Sequence, residues 1–277
     1  MTELDDVQVA TYRHDGYLSP LPGIDADRAG ELHERYRQFR RARPDVADTV
    51  FRSKPHLVFP WLHDLVCDPA ITRPVTALLG PDVLAWGSSF FAKQAASSGY
   101  VSWHQDANYW GLEPYEVLTA WIAFTPSTAA NGCMRVIPAS HSGTALPHRD
   151  TFAADNLLSR GQEVAVEVDE SEAVDIVLAP GEMSLHHVGI VHGSEPNASP
   201  VPRIGFAIRY ISTRVRQRGA RTTATLAAGA DRHRHFDPEP RPAADYDAAG
   251  RAFRDAALAR QRSVLLAGTD RTAPAYG

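Results

Sequence analysis

The hydrophobic pattern changes character near residue 82. Before that point apolar residues recur at helical spacing, as Leu32, Tyr36 and Phe39 do, so helices should pack an apolar face on a sheet. After it, short apolar runs alternate with turn signals such as Asn131-Gly132. The pattern predicts one domain over residues 1–277, with a mainly helical part at 1–82, a strand core at 83–213 and a C-terminal loop and helix at 214–277.

Eight segments of the middle part have the length and composition of short strands. They are residues 83–94, 100–106, 117–125, 133–137, 163–168, 175–178, 182–187 and 204–212. Many short strands separated by turns predict a mainly β protein with flanking helices and a cupin-like jelly-roll core, also called a double-stranded β-helix. We interpret residues 142–161 as an irregular loop and residues 214–242 as a mobile or surface segment.

Composition narrows the class of protein. The chain has 277 residues, 44% of them apolar, and a net charge of −5. With a pI near 6.2, this charge argues against a nucleic-acid partner. Two cysteines are too few for a disulfide framework and fit a reducing cytoplasm. No apolar run reaches the length of a membrane span, and the acidic start lacks the features of a signal peptide. We therefore expect a cytoplasmic protein of open oligomeric state.

The motif His-x-Asp is the first candidate for chemistry. It occurs three times, at residues 104–106, 148–150 and 235–237. The first copy lies in a strand-like setting, where side chains alternate between faces. We expect His104 and Asp106 to point into one cavity while Gln105 turns away. The alternative is a strand histidine that simply hydrogen-bonds a nearby carboxylate.

A third ligand is expected from one of three downstream histidines, His186, His187 and His192. His192 is preferred because Gly193 follows it, and a glycine lets backbone and ligand approach closely. Two imidazoles and one carboxylate on one face suit Fe(II), since the opposite coordination positions stay open. The roles of His186 and His187, as rival ligands or structural residues, remain open.

Arg203 lies eleven residues beyond His192, at the start of the apolar segment 204–210. If a turn precedes it, Arg203 opens a strand and faces the same cavity. A buried arginine without an acidic partner is typical of an anion site, and its planar fork binds a carboxylate through two hydrogen bonds.

Taken together, these motifs resemble the phytanoyl-CoA dioxygenase family of Fe(II)- and 2-oxoglutarate-dependent oxygenases. The resemblance spans roughly residues 15–213 and rests on residues 104–106, 131–141 and 192–197 with Arg203. It implies the jelly-roll fold and implies that iron binds His104, Asp106 and His192. It further implies that Arg203 binds the distal carboxylate of 2-oxoglutarate, that Ser194 assists, and that Lys93 lies near this cofactor.

Four aromatic or polar residues are expected to complete the pocket. Trp121 lies on a neighbouring predicted strand and should border the cofactor. Asn108, Tyr109 and Trp110 directly follow the ligand motif and are candidates for the substrate wall. Packing in the core is the alternative role for Asn108, Tyr109 and Trp110.

The resemblance implies a dioxygenase that consumes O2 and 2-oxoglutarate and releases succinate and CO2. It would hydroxylate or otherwise oxidise an unactivated C–H bond of a small metabolite or natural-product intermediate. Asp106 favours hydroxylation over halogenation, since related halogenases have a small residue there. Two alternatives remain: a zinc hydrolase, in which Arg203 has no role, and a non-catalytic cupin-like binding protein. A small molecule is the expected partner, with no nucleic acid and no membrane.

Overall fold

The computed structural model describes residues 3–143, 145–158 and 161–265. Its first part is a group of helices around one short strand, as the hydrophobic pattern predicts. These elements are α1 (Asp6–Asp15), β1 (Tyr17–Pro22), α2 (Ala26–Ala42), α3 (Ala47–Arg52), α4 (Pro60–Val66) and α5 (Pro69–Leu79). Local chemistry sets their ends: Asp25 caps α2 by accepting a hydrogen bond from the backbone of Arg28 at 2.7 Å, and Gly16, at φ +82°, ends α1.

The second part consists of strands with two further helices. In chain order these are β2 (Val83–Lys93), β3 (Val101–His104), α6 (Ala107–Trp110), β4 (Leu112–Glu113), β5 (Val117–Ala123), β6 (Met134–Val136), β7 (His148–Asp150), β8 (Gln162–Val164), β9 (Val174–Ile176), β10 (Glu182–His187), β11 (His192–Ser194), β12 (Arg203–Ser212), β13 (Arg216–Gln217), β14 (Thr223–Ala228), β15 (Asp237–Pro238) and α7 (Ala248–Leu265). The large sheet has the order β1-β10-β5-β12-β2-β14-β15, and a smaller sheet has the order β3-β11-β6-β9.

Strand β12 shows how the large sheet divides the molecule into layers. Its residues Phe206, Ile208 and Tyr210 are buried in the core that the N-terminal helices cover. Ala207 belongs instead to the core between the two sheets. This alternation with a period of two places Arg203, like Ala207, on the face that is turned toward the small sheet. The cavity described below lies between the sheets.

The strand that was predicted over residues 100–106 ends earlier than expected. β3 stops at His104, and Asp106 has helical backbone angles, φ −64° and ψ −32°, directly before α6. The prediction that both side chains lie on one extended strand was therefore wrong, although both residues do reach the same cavity. A turn, and not strand alternation, brings Asp106 beside His104.

The segment 214–242 also differs from its interpretation as a mobile or surface segment. β14 pairs with β2 in the large sheet, and β15 forms the edge strand beside β14. Thr223, Thr225 and Glu239 are buried there. Residues 142–161, interpreted as an irregular loop, contain β7, which pairs with β8.

The interpretation of residues 1–277 as one domain stays a prediction. In the part of the chain that the structure describes, no helix combines the length and the hydrophobicity that a membrane span requires.

Candidate active site

Three side chains converge where β3, α6 and β11 meet. His104 ends β3, His192 begins β11, and the two residues are paired across the small sheet. The ligand atoms of His104, Asp106 and His192 all lie within 4.8 Å of one another. Nε2 of His104 is 3.4 Å from Oδ1 of Asp106, and the two imidazole centroids are 4.1 Å apart. This arrangement leaves room for one metal ion between the three groups.

Backbone carbonyls orient both imidazoles. Nδ1 of His104 donates to the carbonyl oxygens of Ser102 and His192, at 2.9 and 3.1 Å. Nδ1 of His192 donates to the carbonyl oxygen of Ile190 at 3.0 Å. Because these bonds require protonated Nδ1 atoms, each Nε2 keeps its lone pair for a metal.

The charge states of His192 and Asp106 also suit a metal ion. Burial, followed by the influence of His104, lowers the pKa of His192 to about 4, so this imidazole is neutral near pH 7. Burial alone would raise the pKa of Asp106. The neighbouring His104 and His192, together with Arg209, outweigh burial and lower it to about 2. Two imidazoles and one carboxylate, with a cavity in front of them, are the donor set of a non-haem Fe(II) site.

Gln105 turns away from this centre, as expected. Its side-chain amide donates to the carbonyl oxygen of Gly189 at 2.6 Å, and its side-chain oxygen accepts from the backbone of Leu146 at 2.8 Å. Both bonds hold the turn that brings Asp106 beside His104, so Gln105 supports the centre without facing it.

Arg203 and Trp121 form a cationic pocket in the same cavity. Arg203 is 2% exposed, and its Nη1 donates to the carbonyl oxygen of Gly132 at 2.5 Å. Its Cζ lies 5.3 Å from the centre of the Trp121 ring, while its Nε has no hydrogen-bond partner among the described residues. Burial lowers the pKa of Arg203 to about 10, which still leaves it charged near pH 7. A buried charge with an unused donor is suited to an anionic ligand.

Gly205 makes the position of Trp121 feasible. A Cβ atom at Gly205 would lie only 1.9 Å from the nearest atom of the Trp121 ring. The ring therefore covers the strand β12 directly at this glycine, beside Arg203.

Lys93 lies next to this pocket, but its ammonium group binds protein atoms. It donates to Oγ of Ser194 at 2.7 Å, to the carbonyl oxygen of Gly132 at 3.3 Å and to that of Glu195. Burial, and secondly the charge of Arg203, lower the pKa of Lys93 to about 7. Lys93 thus holds Ser194, which borders the cavity.

The expected substrate wall is described in part. Trp110 lines the cavity, and its ring centre lies 5.4 Å from that of Trp86. Asn108 and Tyr109 belong to α6, but their side chains lie outside the described part of the structure.

The two adjacent histidines on β10 face opposite ways. His186 is buried, lines the cavity, and has its ring centre 5.1 Å from that of His192. His187 is turned outward: its Nδ1 accepts from the backbone of Gly189 at 3.0 Å, and its Nε2 donates to the carbonyl oxygen of Tyr115 at 3.2 Å. His187 therefore has a structural role in the turn after β10.

Two residues that face the cavity escaped the sequence analysis, Arg209 and Thr119. A signal for Arg209 was present, because residues an even number of positions from Arg203 on one strand share its face. The position of Thr119 depends on the register between β5 and its neighbours, which the sequence does not reveal.

Comparisons with known proteins agree with this site. The family model of phytanoyl-CoA dioxygenase (PhyH) matches residues 3–205. The chain belongs to this family. A probable alpha-ketoglutarate-dependent hypophosphite dioxygenase of Stutzerimonas stutzeri is 30% identical over 181 residues, which cover 62% of this chain and 61% of that protein. The peroxisomal phytanoyl-CoA dioxygenase of Homo sapiens is 28% identical, over 52% of this chain and 44% of that protein. The chain thus matches only about half of the length of these curated relatives.

Solved structures give a more complete match. The non-heme monooxygenase ThoJ in its apo form is 35% identical, covers 93% of this chain and 97% of its own, and superposes with a TM-score of 0.85. A ThoJ–Ni complex is 32% identical, with a TM-score of 0.78 and coverage of 92% and 97%. CytC3 is 25% identical over 87% of this chain and 93% of its own, with a TM-score of 0.64. The predicted family and the predicted jelly-roll fold are confirmed.

Proposed function

We propose that the protein is an Fe(II)- and 2-oxoglutarate-dependent dioxygenase. It hydroxylates or otherwise oxidises an unactivated C–H bond of a small metabolite or natural-product intermediate. The observation that carries this proposal is one cavity lined both by the triad of His104, Asp106 and His192 and by the buried charge of Arg203. Family membership supports the same class of chemistry.

Each residue has a defined part in this proposal. His104, Asp106 and His192 hold the iron, which with 2-oxoglutarate and O2 supplies the oxidising power and leads to succinate and CO2. Arg203 binds the distal carboxylate of 2-oxoglutarate, and Ser194 adds a hydrogen bond to it. Lys93 positions Ser194, and Trp121 forms the apolar wall beside Arg203. Trp110, with Asn108 and Tyr109, borders the substrate.

The zinc-hydrolase alternative explains the triad but gives no function to Arg203. A hydrolytic zinc site needs three ligands and a water molecule, and no cationic pocket beside them. A non-catalytic binding protein likewise gives no reason for two imidazoles whose Nε2 atoms are both oriented toward a metal. We further propose that the enzyme is cytoplasmic, consistent with the free thiols of Cys67 and Cys133, and that residues 1–277 form one oxygenase domain.

Anaerobic titration of the apo protein with Fe(II) and then 2-oxoglutarate tests this function. A visible metal-to-ligand charge-transfer band that needs both components is expected, because 2-oxoglutarate chelates iron through its carboxylate and keto oxygens. Succinate release on admission of O2 gives a second readout. Tight retention of zinc without a band would favour the hydrolase, and absence of metal binding would favour the binding protein.

A further inference from the structure

A row of three polar residues crosses the large sheet under the proposed metal centre. His186 on β10 pairs directly with Thr119 on β5, and Thr119 pairs directly with Arg209 on β12. Directly paired residues of antiparallel strands project from the same face, and all three residues line the cavity that contains the triad. None of the three has a part in the proposed chemistry.

Arg209 is held in a defined position. Its Nη1 donates to Oγ of Ser89, and its Cζ lies 5.6 Å from the ring centre of Phe91 and 5.7 Å from that of Trp110. Gly87 lies directly opposite Arg209 on β2 and leaves space beside the aliphatic part of the Arg209 side chain. A Cβ atom at Gly87 would meet only Cδ of Arg209, at 3.9 Å. A guanidinium fixed between two aromatic rings loses little conformational entropy when it binds a ligand.

The other two members of the row carry unused hydrogen-bonding capacity. Oγ1 of Thr119 and Nδ1 of His186 are buried and have no hydrogen-bond partner among the described residues. A buried polar group without a partner costs about 1–3 kcal/mol, so such groups are commonly found where a ligand binds. The hydroxyl and the imidazole N–H can both donate, as Arg209 does.

The charge of the cavity wall points to an anion. Cationic side chains on the wall outnumber acidic ones, which are Asp48 and Asp106. Asp48 is paired with Arg40, and Asp106 belongs to the metal centre. The cationic residues are Arg40, Arg52, Lys54, Arg203, Arg209 and Arg262, of which Lys54 is paired with the buried Glu239 behind the wall.

One carboxylate does not account for both arginines of β12, the buried Arg203 and the half-buried Arg209. Arg203 and Arg209 lie six residues apart, about 20 Å between Cα atoms in a regular strand. The ring of Trp121 covers Gly205, which lies between them on the strand. Arg203 contacts Trp121, whereas Arg209 contacts Ser89, Phe91 and Trp110. A carboxylate that is bound to Arg203 therefore does not occupy the guanidinium of Arg209, which can bind a different carboxylate.

We propose that Arg209, with Thr119 and His186 beside it, binds a carboxylate of the organic substrate. The substrate class is therefore a small carboxylic acid, whose apolar body packs on Trp86, Trp110 and Phe91. This inference rests on the proposed function, since it names the substrate of the same site. The carboxylate fixes the molecule at one end and so determines which C–H bond faces the metal.

Paired probes test the inference on the full-length protein loaded anaerobically with Fe(II) and 2-oxoglutarate. Phenylacetate and its neutral amide, phenylacetamide, have the same shape and differ in charge. Calorimetry should give phenylacetate a dissociation constant at least about tenfold lower, since Arg–carboxylate pairs are charge-assisted and bidentate. Arg209→Gln should weaken phenylacetate binding by about tenfold and leave phenylacetamide binding within about twofold, because only the charged pair is lost.

Two further variants complete the experiment. Arg214→Gln removes a charge just beyond β12, where Arg214 binds Glu116 outside the cavity, and should change neither probe's affinity. Thr119→Val keeps the side-chain shape and should weaken phenylacetate binding by about threefold, the loss of one neutral hydrogen bond. It keeps the inference testable if Arg209→Gln fails to fold.

The outcomes separate this inference from the proposed function. Equal affinity for the two probes in the wild type, or no measurable binding of phenylacetate, overturns the inference even where the charge-transfer band forms. If Arg209→Gln weakens the binding of 2-oxoglutarate more than the binding of phenylacetate, the inference is also overturned. The carboxylate that binds Arg209 would then be the cofactor's. If no band forms but Arg209→Gln still abolishes a preference for phenylacetate, the carboxylate site stands and the oxygenase function fails.

Discussion

At the scale of single residues, the three downstream histidines illustrate how neighbouring identical side chains acquire different roles. His186 and His187 are adjacent on β10, so their side chains must point to opposite faces of the sheet. His186 faces the cavity, His187 supports a turn, and His192 stands beside His104 across the small sheet. The sequence analysis preferred His192 as the third ligand because it precedes Gly193. Excluding His187 required the structure, which shows which side chains of β10 face the cavity.

His192→Ala should therefore abolish the charge-transfer band that Fe(II) and 2-oxoglutarate produce together. His187→Ala should retain the band and lower the free energy of unfolding by about 1–2 kcal/mol, since it removes the hydrogen bonds to Gly189 and Tyr115. Visible absorption and urea denaturation of both variants check this. Loss of the band in both variants, with folding intact, would contradict the assignment of His192 as the ligand.

At the scale of elements, the sequence analysis grouped three side chains that do lie together, but for a wrong geometric reason. Strand alternation was the reason for pairing His104 with Asp106, yet β3 ends at His104 and Asp106 reaches the centre through a turn. The fold class, most strand positions and the triad could be predicted, because hydrophobic alternation and motif spacing are local properties. Thr119 could not be assigned, because its place beside Arg209 and His186 exists only through the register of three strands.

The contact between β12 and Trp121 gives a prediction at this scale. Gly205→Ala places a methyl group inside the Trp121 ring, so the ring must leave its place beside Arg203. The variant should lose about 1–3 kcal/mol of stability through overpacking and should need more 2-oxoglutarate to form the charge-transfer band. Gly87→Ala on the neighbouring strand is the matched control, since its methyl group meets only Arg209, at 3.9 Å. A similar 2-oxoglutarate requirement in both variants would remove Trp121 from the cofactor pocket.

At the scale of the whole molecule, residues 214–242 connect the C-terminal part of the chain to its helical N-terminal part. Glu239, just after β15, accepts hydrogen bonds from Lys54, which precedes α4, and from Thr223 and Thr225 of β14, and it also binds His56 at 3.0 Å. All five residues are buried. The segment's richness in Arg, Gly, Ala and Pro suggested a mobile or surface location. Its partners Lys54 and His56 lie 185 and 183 residues from Glu239 along the chain, so they are invisible to local pattern analysis. His56 also hydrogen-bonds Ser88, and both Ser88 and Lys54 line the cavity. The buried network around Glu239 therefore supports the wall of the cavity.

Glu239→Gln should destabilise the whole protein and alter its response to acid. Burial raises the pKa of Glu239, but the charge of Lys54 and the hydrogen bond with His56 outweigh it and hold this pKa well below the usual range. The unfolded chain binds the proton near pH 4.3, so the contribution of Glu239 is present above about pH 5 and is lost as the pH falls toward the folded pKa. Breaking the buried pair should lower the free energy of unfolding at pH 7 by about 3–5 kcal/mol, and the loss of stability as the pH falls below about 5 should become shallower than in the wild type. Glu113→Gln, which breaks the exposed pair with Arg218, should leave the free energy of unfolding close to that of the wild type. Urea denaturation of both variants at several pH values measures these differences, and equal losses in the two would mean that Glu239 does not hold the C-terminal and N-terminal parts of the chain together.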